Sequence, residues 1–337
     1  MLPRTQAQQN SHTPTWKKEL AAAITSACDL LERLDLHESP KAQRFMNNPH
    51  MPVLVPEPFL KRFEVGNAND PLLLQVLSQH VAPDEKRFFS QDPVGDLSAN
   101  PAPGLLHKYQ GRLLVVTTGA CAVHCQYCFR QHFPYRESGS TFDLRQRTLQ
   151  FLQQDTSIEE VILSGGDPLI LNNDQLRLWI DCLTAVPQIS TIRIHTRLPI
   201  VLPSRVDTGL LEALSSCDKK IVLVTHINHS NEMDDAVLHA MHKLGQCGLT
   251  LLNQSVLLKG VNDQTNCLVE LSKALFQAGI LPYYLHLLDP VTGTEPLDVK
   301  ASRGSQLIEE MRQQLPGYLI PTLVRENAGA ASKTPIT

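Results

Sequence analysis

From residue 112 onward the chain repeats one pattern, an apolar run of strand length followed by an amphipathic stretch of helix length. No other feature restricts its fold so tightly. The runs are R-L-L-V-V-T-T near 115, E-V-I-L-S near 162, T-I-R-I-H-T near 193, K-I-V-L-V-T-H near 223, T-L-L-N-Q-S-V near 253 and P-Y-Y-L-H-L near 285. Strands separated by helices pair in parallel, because a parallel neighbour is reached through a crossover connection. Six such units form either a doubly wound sheet or a partial βα barrel. Each run ends in polar or glycine-rich residues: a cysteine loop, S-G-G-D-P, H-T-R, T-H-I-N-H, N-Q-S and H-L-L-D. A doubly wound sheet gathers its site at one switch point, whereas a βα barrel gathers chemistry at its strand C-termini. Functional residues at all six ends predict an α/β fold with a partial (βα)6, TIM-like barrel.

The remaining chain is arranged around that unit. Residues 1–15 are polar and are expected to be disordered. W-K-K-E-L-A-A-A-I-T-S-A-C-D-L-L-E-R-L spaces its apolar groups helically, which predicts one amphipathic helix over Trp16–Leu34. Pro52, Pro56, Pro58, Pro71, Pro83, Pro93, Pro101 and Pro103 keep helices short between 40 and 110. The expected division is a mostly helical N-terminal subdomain over 16–110, the barrel over 111–315 and a short C-terminal segment over 316–337.

A net charge of −4 over 337 residues leaves no electrostatic footprint for nucleic acid or an anionic membrane, and favours a small-molecule substrate. No stretch has the length of a membrane span, and the first ten residues lack the apolar region of a leader, so a cytoplasmic location is expected. Cys28, Cys182, Cys217, Cys247 and Cys267 are scattered among apolar neighbours, as unpaired thiols in a reducing compartment are.

The other three cysteines are different. Cys121, Cys125 and Cys128 stand together in T-G-A-C-A-V-H-C-Q-Y-C-F-R. Three thiolates can hold three irons of a 4Fe–4S cube and leave the fourth iron open to a small molecule. With His132 four residues on, a Cys3His zinc tetrahedron is the rival reading, and buried unliganded thiols are a third. The loop Ser164-Gly165-Gly166-Asp167-Pro168 also reads two ways. It is a tight turn capped by Asp167, or a backbone surface for the ammonium and carboxylate of a zwitterionic ligand.

C-x3-C-x2-C at the end of a first barrel strand, followed by G-G-D after the second, resembles the radical S-adenosylmethionine enzymes. The resemblance implies that Cys121, Cys125 and Cys128 ligate the cluster, that S-adenosylmethionine binds its open iron, and that Ser164, Gly165, Gly166 and Asp167 help hold the methionyl amine. It implies formation of a 5′-deoxyadenosyl radical with an external electron donor. Tyr127 fits the aromatic found before the third cysteine, and His226 and Gln254 are implied contacts of S-adenosylmethionine, with His195 and Arg197 as weaker ones.

At the other end, Y-L-I-P-T-L-V-R-E-N-A-G-A-A-S-K-T-P resembles the pyridoxal-phosphate lysine segment of the lysine 2,3-aminomutases. Without that resemblance Lys333 reads as a solvated charge; with it, Lys333 is the implied cofactor lysine. Lys108, Tyr109 and Arg112 in H-K-Y-Q-G-R take the family's phosphate-holding positions, and Arg130 that of its substrate-carboxylate arginine. A lysine substrate also carries a remote ammonium, whose burial is tolerable only beside anions. Asp289 and Glu326 match the two acids that play this role, which implies L-lysine as substrate.

The resemblance spans roughly residues 55 to 335. The family's glycine run before the lysine is here A-G-A-A-S, and four residues follow Lys333, so the zinc-bearing extension of the longer clostridial members is not implied and the oligomeric state stays undetermined. P-G-L-L-H-K-Y-Q-G-R and C-F-R-Q-H-F-P-Y look most like the short bacterial form. That form is associated with (R)-β-lysine, which a ligase attaches to elongation factor P. A related aminomutase acting on glutamate, and a non-catalytic zinc-stabilised binding protein, are the alternatives.

Overall fold

The structure, a computed structural model, describes residues 13–80 and 89–337. The disorder expected over 1–15 falls mostly outside these residues, although Thr15 already begins a helix.

One sheet organises the molecule. Its strands are β1 (Leu105–Tyr109), β2 (Arg112–Thr118), β3 (Glu160–Gly165), β4 (Thr191–Thr196), β5 (Lys220–Thr225), β6 (Thr250–Leu257), β7 (Leu281–Leu287), β8 (Thr322–Arg325) and β9 (Thr334–Pro335). They lie side by side in chain order, and the outer two strands do not pair with each other. Neighbours from β2 to β8 run parallel, while β1 and β9 close the edges antiparallel. All six apolar runs are strands β2 to β7, and a helix follows each of them. These are α3 (Thr141–Gln154), α4 (Asn173–Thr184), α5 (Thr208–Ser215), α6 (Asp235–Gln246), α7 (Thr265–Gln277) and α8 (Ala301–Arg312). The sheet is therefore an open, mostly parallel one, and a single cavity touches residues of β1, β2, β3, β4, β6 and β7 together with Lys333. A flat sheet could not offer one cavity to so many strands; this one curls.

The period of two along each strand explains both faces. On β4, Ile192 and Ile194 are buried outward, while Arg193 and His195 face the cavity. The outward residues pack with Leu113, Val115, Val161 and Leu163 beneath Trp179, Leu176 and Leu183 of α4.

Two expectations need correction. The helix expected over Trp16–Leu34 is two helices, α1 (Thr15–Ala21) and α2 (Ala27–Arg33). Ile24 leaves the helical path to bridge Val55, and Ser26 then caps α2 by accepting from Asp29 N–H. The partial barrel also gains a seventh parallel strand, since β8 of the C-terminal segment pairs with β7 through Leu323 and Leu285. Its two buried residues, Leu323 and Val324, make too short a run to stand out in sequence.

The N-terminal region backs this unit. Gln126 of the cysteine loop donates through its backbone to Gln75 O and through its side chain to Met51 O and Val76 O. Arg62 reaches Asp234, Ile200 O and Glu232 O on the barrel side. Among the described residues no helix is long and apolar enough to cross a membrane.

Candidate active site

The cysteine loop follows β2 and the glycine turn follows β3, so parallel pairing sets them side by side. Contact between them is close. Gly165 adopts φ +116°, and a Cβ there would lie 2.5 Å from Thr118 O; at Gly166 it would lie 2.3 Å from Ala120 O. Gly166 N–H donates to Thr118 O at 2.7 Å, and Asp167 N–H to Ala120 O at 2.8 Å. The glycines are thus required by backbone approach, and these two N–H groups are already used. Asp167 accepts from Leu169 N, Thr196 Oγ1, Arg197 N and Leu198 N. Burial raises its pKa and these four donors oppose the rise. Its carboxylate acts as the capping group of the structural reading, fastening β4 to the turn.

Cys121, Cys125 and Cys128 all line the cavity, with Tyr127 between them. Desolvation pushes the Cys128 thiol up to about 11, with Cys125 adding to it, and raises Cys121 well above the ordinary value. Thiols ligate as thiolates, so loading a metal cluster here must displace protons. His132 does not join them: its ring meets His50 edge-on at 5.0 Å, and its Nε2 has no hydrogen-bond partner. Among the described residues no three His, Cys, Asp or Glu side chains converge to hold one ion. A cubane spreads its ligands farther apart than a single ion does, and three sulfurs on one cavity wall suit it.

Another part of the cavity lining is ionic. β9 pairs with β8 and so brings Lys333 to the cavity, where Nζ lies 2.6 Å from Glu326 Oε2. Glu326 Oε1 is 2.8 Å from Lys108 Nζ, which also meets Asp96 Oδ1 at 2.5 Å and Val94 O at 2.9 Å. Asp96 Oδ2 accepts from Arg130 Nε at 2.6 Å, and Arg130 reaches Ser164 Oγ at 3.3 Å. Lys333, Glu326, Lys108, Asp96 and Arg130 form a line of alternating charge, and Asp289 faces the same space with Oδ1 sealed off and unpartnered.

Electrostatics distinguishes the two acids implied for a substrate ammonium. Burial works against the Glu326 charge, but Lys333 and Lys108 hold its pKa down at about 2. Burial and then Glu326 itself push Asp289 up to about 7. Lys108 is spent on two carboxylates and a carbonyl and stands with Glu326. Tyr109 and Arg112 remain together, the guanidinium 5.5 Å from the ring centre, and the Tyr109 hydroxyl is buried on the Glu326 side, where burial and that carboxylate raise its pKa. A cavity-lining guanidinium with no carboxylate among the described residues hydrogen-bonded to it, beside a phenol that can donate, fits a phosphate.

The same cavity is lined by His195, His226, Gln254 and His286. His226 Nε2 and Gln254 Nε2 are 3.4 Å apart. Burial and nearby cations lower His226 to about 3 and keep His195 and His286 well below the ordinary value, so all three are neutral. The Nε2 atoms of His195 and His286 lack partners and are free to meet a ligand. The cavity measures about 330 Å³. Sequence reasoning did not single out Asp96, Arg193, Tyr284 or His286. The last three are polar residues at the inward positions of apolar strands, a legible signal; Asp96 in its proline-rich loop offers none.

A family described as a 4Fe-4S single cluster domain matches residues 110–192. An L-lysine 2,3-aminomutase of Haemophilus influenzae is 44% identical over 319 residues, covering 95% of this chain and 94% of its own length. Those of Escherichia coli and Buchnera aphidicola are 42% and 39% identical, covering 95% and 96% of this chain and 94% and 96% of their own lengths. Similarity of that depth along nearly the whole chain, with the cluster match falling on the cysteine loop and glycine turn, makes this protein a member of the radical S-adenosylmethionine lysine 2,3-aminomutase family of isomerases.

Proposed function

We propose that the chain converts L-lysine to β-lysine with a 4Fe–4S cluster, S-adenosylmethionine and pyridoxal phosphate. One observation carries this reading above the rest: Lys333 rests its ammonium on Glu326, beside an unpartnered Asp289. The protein's own lysyl head marks a seat suited to the remote ammonium of a lysine substrate. With Lys333 given over to the second cofactor, Glu326 would keep Lys108 on Oε1 and have Oε2 open, and the substrate ammonium would take the vacated place between Glu326 and Asp289. Arg130, oriented by Asp96, takes the substrate carboxylate.

Cys121, Cys125 and Cys128 hold the cluster, and Tyr109 and Arg112 hold the cofactor phosphate. Ser164, Gly165 and Gly166 line the S-adenosylmethionine end with His226 and Gln254, while Asp167 positions the turn. When bound, the cluster and S-adenosylmethionine supply a hydrogen-abstracting radical, and pyridoxal phosphate supplies a conjugated support for the migrating nitrogen. The protein orients these groups and excludes water. The short-form motifs around residues 103–112 and 128–135 support a further step, transfer of (R)-β-lysine by a ligase to elongation factor P in the cytoplasm.

Anaerobic incubation with L-lysine, S-adenosylmethionine, pyridoxal phosphate and dithionite, followed by chiral chromatography, is expected to yield (R)-β-lysine. Conversion of glutamate instead would move the substrate, and a colourless protein holding zinc without iron or sulfide would end the radical reading. Lys333→Ala is expected to abolish the bound pyridoxal absorbance; retention of that band would reassign the cofactor lysine.

A further inference from the structure

Arg197 directly follows β4 in the interior, 5% exposed, and its guanidinium is shared among three parts of the molecule. Nη1 donates to the Cys125 sulfur at 2.8 Å and to the Tyr127 hydroxyl at 2.9 Å. Nη2 donates to Gln75 Oε1 and Glu232 Oε2, each at 2.7 Å. Glu232 is fully buried, and its other oxygen accepts from Asn228 N, His229 N and the Gln75 amide. Burying a charged pair this deeply is expensive, and a clamp for the loop could grip its backbone alone, as Gln75 O does in accepting from Gln126 N–H. This one reaches a ligand sulfur.

We propose that Arg197 is a positioning residue that tunes the cluster: its N–H···S bond to Cys125 draws electron density from the sulfur and favours the reduced form. The tuning role rests on the reading of Cys121, Cys125 and Cys128 as ligands, in which the Cys125 sulfur stands for a cluster-bound thiolate. Glu232, on the far side of the guanidinium, limits the gain. One electron from an external low-potential donor makes the cluster one charge more negative, and a cationic donor at a ligand sulfur stabilises that state. Hydrogen bonds to sulfur and local charge are established determinants of such potentials. The same contacts explain why Arg197 is taken up by the cysteine loop rather than left free for S-adenosylmethionine.

The test is a dithionite titration of the full chain, reconstituted anaerobically and followed by electron paramagnetic resonance, with iron and sulfide counted per chain. Wild-type protein that takes up no cluster would refute the cysteine reading; the tuning role is judged on loaded protein. Arg197→Met is expected to shift the midpoint to more negative potential. The double variant Arg197→Met with Glu232→Gln should fall between, because removing the uncompensated carboxylate returns part of the loss. Arg197→Lys keeps the charge without the fork and should also lie below wild type; if Arg197→Met does not load, this variant decides. A purely structural residue changes loading or melting but not the midpoint of what loads, so a loaded Arg197 variant with the wild-type midpoint overturns the proposal.

Discussion

Asp289 and Glu326 are carboxylates in one cavity, yet they titrate on opposite sides of the ordinary value. Sequence motifs treat them as equal partners for an ammonium. The difference arises because Lys333 and Lys108 both sit on Glu326, leaving Asp289 with burial and a like charge. Raised from 3.8 to about 7, Asp289 favours the folded state while protonated, and that contribution is lost as pH rises between those values. At about 1.4 kcal/mol per pKa unit the window is worth a few kcal/mol at most. Asp289→Asn, permanently neutral, should therefore gain stability relative to wild type as pH rises from about 4 to about 7, and the gain should level off above that. His195, His226 and His286 act in the opposite direction below their ordinary value, but they are common to both proteins and cancel in the difference. Paired thermal melts check this, and a difference independent of pH would contradict it. A cation arriving beside Asp289 favours its ionised form, so L-lysine should bind more tightly as pH rises through about 7.

Strands and their order were legible because apolar runs and crossover helices leave few alternatives. Motif spacing likewise located the cysteine loop and the turn. What could not be read was how tightly the two loops approach, since the distance depends on the parallel register of β2 and β3. Gly166→Ala tests that register. Its Cβ would press 2.3 Å from Ala120 O, and a backbone carbonyl cannot rotate aside as a side chain can. The expected result is a loss of about 1–3 kcal/mol in urea denaturation and most of the bound iron. Elements that escaped sequence reasoning share one cause, dependence on distant partners. Ile24 breaks the expected long helix only because Val55 is there to bridge, and β8 is a strand only because β7 is already beside it.

Across the whole molecule, the N-terminal region and the barrel are joined by buried polar contacts that no motif announces. Arg62, with 5% of its side chain exposed, ties one to the other through Asp234 and two carbonyls. Arg62→Met keeps the apolar stem and should cost about 2–4 kcal/mol by urea denaturation. A change within about 0.5 kcal/mol would show that these contacts stabilise little. Asp96, from the connecting loop, completes the ionic wall at one side, and Lys333, just before β9, completes it at the other. The first strand of the sheet and the residue that leads into its last one thus border the same cavity, which has a consequence in time. A growing polypeptide displays Cys121, Cys125 and Cys128 about two hundred residues before Lys333 is made. The cysteine loop and the turn it packs against can therefore form from one stretch of chain, whereas the ionic wall stays incomplete until Lys333, contributed from far along the sequence, reaches Glu326.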